Sequence, residues 1–223
     1  APRWWWALAL TFAGYLAGAK LGLLLAIPPG IASPLWPAAG LALVTALAWG
    51  PWALLGVALG SIAGNLGFVA GSGPASAVDI AITTAIGGGV ALQAWLGAVL
   101  VKRYVGQPLL LAEPQQLWRF VLVAALAASG VSASVGLAAL SMAGRVDLAQ
   151  APAHWAAWWV GDALGVLVFA PVMLTLIGQP RAEWAPRRVP VALPLVLVTL
   201  LMGLGTREVI GLDTARQRQA FER

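Results

Sequence analysis

The chain has no cysteine, a single histidine and very few charges. The missing cysteine excludes disulfides, thiolate metal sites and thiol nucleophiles. His154, standing alone, leaves no cluster for haem or zinc. Only 9% of the residues are charged, where a soluble domain carries about 25%, so no charged, loop-rich stretch is long enough to form a separate soluble domain. The first apolar segment is too long for a cleavable signal peptide and lacks a small-residue cleavage site.

What is present is apolar: 61% of the 223 residues are hydrophobic, which makes the chain a polytopic membrane protein. Seven apolar segments are read, at roughly 4–26, 34–49, 51–71, 76–101, 115–141, 152–178 and 188–206. All but the second are long enough to cross about 30 Å of hydrocarbon. The expected fold is an all-α, integral-membrane bundle of about seven transmembrane segments. The second segment begins among prolines, Pro28, Pro29, Pro34 and Pro37, so its backbone is not regular helix throughout and must be buried in protein or lie at the interface.

The net charge of +5 does not point to nucleic acid, because the basic residues lie in loops between apolar segments. Lys102, Arg103, Arg119, Arg181, Arg187 and Arg188 fall on one side, with Arg3, and only Arg145 beside Asp147 on the other. The positive-inside rule puts the N-terminus in the cytoplasm and, after seven crossings, the tail from Thr206 to Arg223 outside. Four arginines in that tail oppose this orientation unless the tail leads into a large translocated domain, which crosses largely regardless of charge. A start at Ala1 without Met and a charged end at Arg223 are read as marking part of a longer protein.

Most of the 12 tryptophans lie near segment ends, as in an aromatic belt; a ligand cage is the alternative. Glycines recur every four residues: Gly14, Gly18 and Gly22, then Gly56, Gly60 and Gly64, then Gly161 and Gly165. Small residues at this spacing let helix backbones approach, either inside the bundle or across a homodimer face.

Asp162 lies about ten residues into the sixth segment, and a carboxyl group there is expensive and marks a candidate site. At about 1.5 Å per residue, Lys20, Asn65, Asp79 and Asp162 all fall in the outer half of the bilayer. Asp162 and Lys20 have opposite signs and comparable depth. Their expected pairing forms either a polar pocket open to the outside or a structural lock between segments one and six. Gln93, Ser129, Ser132 and Ser134 lie deeper and are read as helix packing. Asp162 with serines is not a catalytic set, since a hydrolase needs a base and His154 sits at the interface. No enzymatic activity, cofactor or metal is expected.

Two stretches are specific. The first is Leu35-Trp36-Pro37-Ala38-Ala39-Gly40, followed by Leu59-Gly60 and Asn65-Leu66. The second is Trp158-Trp159-Val160-Gly161-Asp162-Ala163-Leu164-Gly165, continuing to Pro171. In this order and spacing they resemble the membrane-associated sensor domain called MASE1, over nearly the whole chain. The resemblance implies a bacterial inner-membrane input module fused to a histidine kinase, diguanylate cyclase or phosphodiesterase output, with the ligand undefined. The family is described with eight crossings and seven are read here. Gly87-Gly88-Gly89 also stands where an Asn-containing stretch is expected. Residues 1–206 are the expected sensor domain. Residues 207–223 are the expected start of an extracytoplasmic helical extension or linker, within which 213–223 resemble the helical start of an extracellular CHASE-type domain, which would put the eighth crossing beyond them.

The candidate ligand or signal pocket comprises Asp162, Lys20, Asn65, Asp79, Trp36 and Trp159, framed by Pro37, Gly40, Gly60, Gly161, Gly165 and Pro171. The expected partners are the lipid bilayer, a fused or partner output domain and a second copy, with no nucleic acid. A small-molecule binding or transport protein and a structural subunit of a membrane complex remain the alternatives.

Overall fold

The computed structural model describes residues 4–25, 33–71, 73–201 and 203–205. The tail 207–223, and with it the CHASE-type expectation, lies outside the described residues. Among those described the chain is helical with no strand. Six helices are long and apolar enough to cross a membrane: α1 (Trp4–Leu24), α3 (Pro51–Ala70), α4 (Ala77–Val105), α5 (Pro114–Met142), α6 (Ala151–Ile177) and α7 (Arg181–Gly205). Between α1 and α3 lies the shorter α2 (Pro37–Trp49), whose 13 residues reach only about 20 Å.

The element boundaries follow local chemistry. Pro37 takes the first turn of α2, where its missing N–H is not needed, so the second segment is helical from Pro37 rather than from Pro34. Gly50, at φ +68°, ends α2, and Pro51 opens α3 directly after it. Ser76 caps α4 through a capping box: its hydroxyl accepts from the Asp79 N–H, while the Asp79 carboxylate accepts from the Ser76 N–H. The seventh helix starts at Arg181, earlier than the hydropathy pattern suggests, because the arginines expected in a loop lie on helical turns.

Glycine seams set the packing. Along α3, Gly56, Gly60 and Gly64 face Thr11, Tyr15 and Ala19 of α1 in parallel register, and a methyl group on Gly60 would stand 2.9 Å from the Phe12 carbonyl oxygen. A different face of α1 carries Gly14, Gly18 and Gly22 against Leu41, Ala38 and Trp36, so α2 runs antiparallel to it. The four-residue stripes are therefore used within the chain. α2 is the centre of the bundle, with Pro37 to Gly40 and Ala42 to Ala46 buried. Of the triple glycine, Gly87 packs on α3, Gly89 on Val135 of α5, and Gly88 on nothing.

The helices alternate in direction, giving the bundle two ends. Trp4 lies tilted against Trp52 at a centroid distance of 5.0 Å, and Trp184 donates to the Leu109 carbonyl at 3.0 Å; both pairs belong to the basic end. There, Arg181 and Arg188 donate to the Thr175 carbonyl in the last turn of α6, and Arg187 to that of Leu110. These arginines are thus helix caps and loop ties as well as an orientation signal. At the opposite end Arg145 pairs with Asp79 at 2.6 Å, and Gly203 of α7 packs against Leu25 after α1. α7 is peripheral, exposing Leu193, Leu197 and Leu201.

Candidate functional site

The two motif stretches meet. Ser33 to Trp36 run as non-helical chain, bent at Pro34, against the middle of α6, where the Trp36 N–H donates to the Gly161 carbonyl at 3.0 Å. Side chains have no room at this crossing. A methyl group on Gly161 would run into the Ser33 carbonyl oxygen, and one on Gly165 into that of Trp36. One turn further, Gly40 faces the Ala170 N–H and the Gly165 carbonyl at 2.5 and 2.6 Å from where its own methyl would stand. Non-helical backbone at this depth is tolerable only because it is enclosed by protein and hydrogen-bonded. Ser33 contributes by donating its hydroxyl to the Leu35 carbonyl at 2.9 Å. Pro171 lies inside α6 and leaves the Leu167 carbonyl without its usual helical donor.

Beside this crossing is a cavity between α1, α3, α4, α5, α6 and the non-helical stretch. A water's centre has about 50 Å³ to move in, and the free space, open mouth included, is about 600 Å³. Its inner wall carries Tyr15, Ser33, Trp36, Ser61, Asn65, Trp158 and Asp162. Leu23, Phe68, Val69 and Leu140, near the helix ends, line the way out. Each of the two tryptophans lies on a glycine of a neighbouring helix, Trp36 on Gly22 and Trp158 on Gly136, so the rings fill space that any side chain there would take. The Trp36 Nε1–H donates to the Tyr15 hydroxyl at 3.3 Å, and Asn65 donates to the Ser61 carbonyl at 2.9 Å.

Asp162 is 2% exposed. Ser132, Trp158 and Gln93 lie against its carboxyl group, yet Asp162 Oδ2, Ser132 Oγ and Gln93 Oε1 have no hydrogen-bond partner. Buried polar atoms are nearly always satisfied, so three unpartnered oxygens in one cluster single this place out as a candidate site.

Of the expected pocket residues, the structure brings Asp162, Asn65 and Trp36 onto this cavity and leaves three elsewhere. Lys20 points out from the exposed side of α1 and is not among the ion pairs of the described residues. Equal depth is not equal direction: Ala19 faces inward, and the next residue is turned about 100° away. With its head four residues from the end of α1, Lys20 can snorkel toward the interface. Asp79 is the α4 capping box and the partner of Arg145. Trp159 donates its Nε1–H at 2.8 Å to the Leu126 carbonyl, in a π-helical turn of α5 spanning Val121–Ala127. Its neighbour Trp158, one turn before Asp162 on the same face, lines the cavity instead. Tyr15, Ser61 and Trp158 were not signalled by depth. Helical spacing from Ala19, Asn65 and Asp162, four residues on in each case, would have found them. Gln93, read as packing, does donate to Ser129 at 3.4 Å, while its carbonyl oxygen stays free. Among the described residues no group of three or more His, Asp or Glu could hold a metal ion.

A helical bundle with six potential spans among the described residues, enclosing a polar-headed cavity at a glycine crossing, defines a polytopic membrane protein with an internal cavity. The MASE1 family model matches residues 7–206, and the chain belongs to that family, a membrane-associated sensor domain found in signalling proteins. No curated protein and no solved structure matches it.

Proposed function

We propose that the chain is the membrane-embedded input module of a bacterial signal-transduction protein. It reads a stimulus at the cavity and passes it to an output domain, a histidine kinase or an enzyme of cyclic-di-GMP metabolism. The observation that carries this reading is the convergence of both motif stretches on one cavity whose polar head is unsatisfied. Its wall comes from five helices and the non-helical stretch, so a change in its occupancy bears on the mutual placement of α1, α3 and α6 rather than on one side chain.

Filling the cavity tests this. Val90 is 5% exposed on α4 and lines the space. In the intact signalling protein, Val90→Phe is expected to fix the output at one level, with at least a tenfold loss of dynamic range. Val99→Phe on the lipid-facing side of the same helix should change the response less than twofold. A normal response from a folded Val90→Phe protein would sink the proposal.

The sidedness we propose places the basic end in the cytoplasm and the cavity end outside, at the bacterial inner membrane. Lys102, Arg103, Arg119, Arg181, Arg187 and Arg188 lie at one end, while Arg145 at the other is paired to Asp79. Compartment reporters fused after Arg187 and after Gly205 should give opposite answers, cytoplasmic and periplasmic. A cytoplasmic result at both would refute a seventh crossing by α7.

A further inference from the structure

Resting on that sensory reading, we infer that the cavity binds a small organic cation, an amine or ammonium head on an apolar body, with Asp162 as its counter-ion. The polar inventory of the wall argues for a donor. Trp36 Nε1–H, the Asn65 amide and the Ser33 hydroxyl already donate within the protein. At the inner end Asp162 Oδ2 and Gln93 Oε1 are acceptors without a donor, the Ser132 hydroxyl beside them is unpartnered, and the Tyr15 hydroxyl and Trp158 indole are the donors nearby. An ammonium offers three N–H donors and no acceptor, which suits Asp162 Oδ2 and Gln93 Oε1, whereas a carboxylate or phosphate would set a second anion against Asp162.

Charge points the same way. Among the described residues the wall contains one carboxyl group and no lysine, arginine or histidine. A carboxylate this deep calls for a partner of opposite sign, and the one cation at similar depth among the described residues, Lys20, faces away on the exposed side of α1. Tyr15, Trp36 and Trp158 put three electron-rich rings around the same space, and cations are held over such rings. Towards the mouth the wall turns apolar, through Leu23, Phe68, Val69 and Leu140, so the rest of the ligand is hydrocarbon or aromatic. The inner space, in which a water's centre has about 50 Å³ to move, is small, so it takes the head of such a ligand while the body lies in the open mouth.

The test uses three probes of one shape and different heads: phenethylamine, 2-phenylethanol and 3-phenylpropanoate. They are titrated by calorimetry and thermal shift into the purified protein in lipid nanodiscs. Phenethylamine is expected to bind saturably, at least tenfold more tightly than the alcohol, with no binding of the carboxylate at the same concentrations. Asp162→Asn should remove that preference, while Asp147→Asn, an exposed carboxylate near the same end, should leave it intact. Equal effects of all three probes would mean partitioning into apolar space and overturn the proposal. So would an unchanged amine affinity in folded Asp162→Asn, or stabilisation by sodium ion alone. If Asp162→Asn does not fold, the wild-type ranking decides by itself. The two readings fail separately. Amine binding without any change of output in the intact signalling protein leaves the ligand class standing and removes the sensory role. An output locked by Val90→Phe with no amine binding does the reverse.

Discussion

Gly165→Ala is expected to destabilise the protein by about 3 kcal/mol or more, enough to lose most of the folded material in detergent. The added methyl group would run into the Trp36 carbonyl oxygen, and the obstacle is backbone, so no rotamer change relieves it. The non-helical stretch would have to lift off α6. That would pull apart the bond from the Trp36 N–H to the Gly161 carbonyl and leave two backbone groups unsatisfied in a dry interior. Gly130→Ala is the matched control. It lies in α5 with only the Trp155 ring nearby, at 3.8 Å from the new methyl group, an ordinary contact. There the gain in helix propensity, about 1 kcal/mol, is uncontested, and the variant should be as stable as the parent or more so. Thermal unfolding of both variants in one detergent measures the contrast. Equal melting temperatures would mean that α6 and the Trp36 stretch are not in contact.

The helices could be read from the sequence because a bilayer leaves an apolar chain few options: every backbone group must be paired, and long apolar runs become helices. The glycine stripes also announced close packing, since small residues at every fourth position have few other uses in a membrane. Which stripe meets which helix was not readable, because Gly18 and Gly60 carry no label for their partners; α1 turned out to use two faces for two neighbours. The site was half legible. A carboxyl group in an apolar run singles out Asp162 whatever its surroundings, and the motif spacing singled out Trp36 and Asn65. Lys20 was misassigned because depth along a helix says nothing about direction around it, although the inward stripe Thr11, Tyr15, Ala19 already turned it away. Asp79 had a simpler reading in the same residues, since Ser76 three positions before it is a helix start. The orphaned oxygens of Gln93 and Ser132 needed the fold itself, because they lie on α4 and α5 and reach the Asp162 neighbourhood only through packing.

Asp162→Leu is expected to make the protein more stable and to abolish its response. Little in the described residues offsets the burial of this carboxyl group: Ser132, Trp158 and Gln93 lie against it, but Oδ2 has no hydrogen-bond partner, and the ion pairs present lie at the two ends of the bundle. Replacing buried ion pairs by well-packed apolar residues of similar volume is often neutral or stabilising by up to about 4 kcal/mol, and the same reasoning applies to a lone buried carboxyl group; leucine has as many side-chain heavy atoms as aspartate and fits the space it leaves. A residue retained purely as a structural lock would behave in the opposite way, since its removal would strand a partner and cost stability. The melting temperature in detergent and the stimulus response of the intact signalling protein therefore need to be measured on the same variant. A higher melting temperature with a lost response is the signature of a site where stability has been given up for function. A lower melting temperature with a normal response would make Asp162 part of the scaffold and move the search for the sensing group elsewhere on the cavity wall, first to Tyr15 and Asn65. The substitution separates these outcomes because it removes charge and hydrogen-bonding capacity together while keeping the side chain's approximate length.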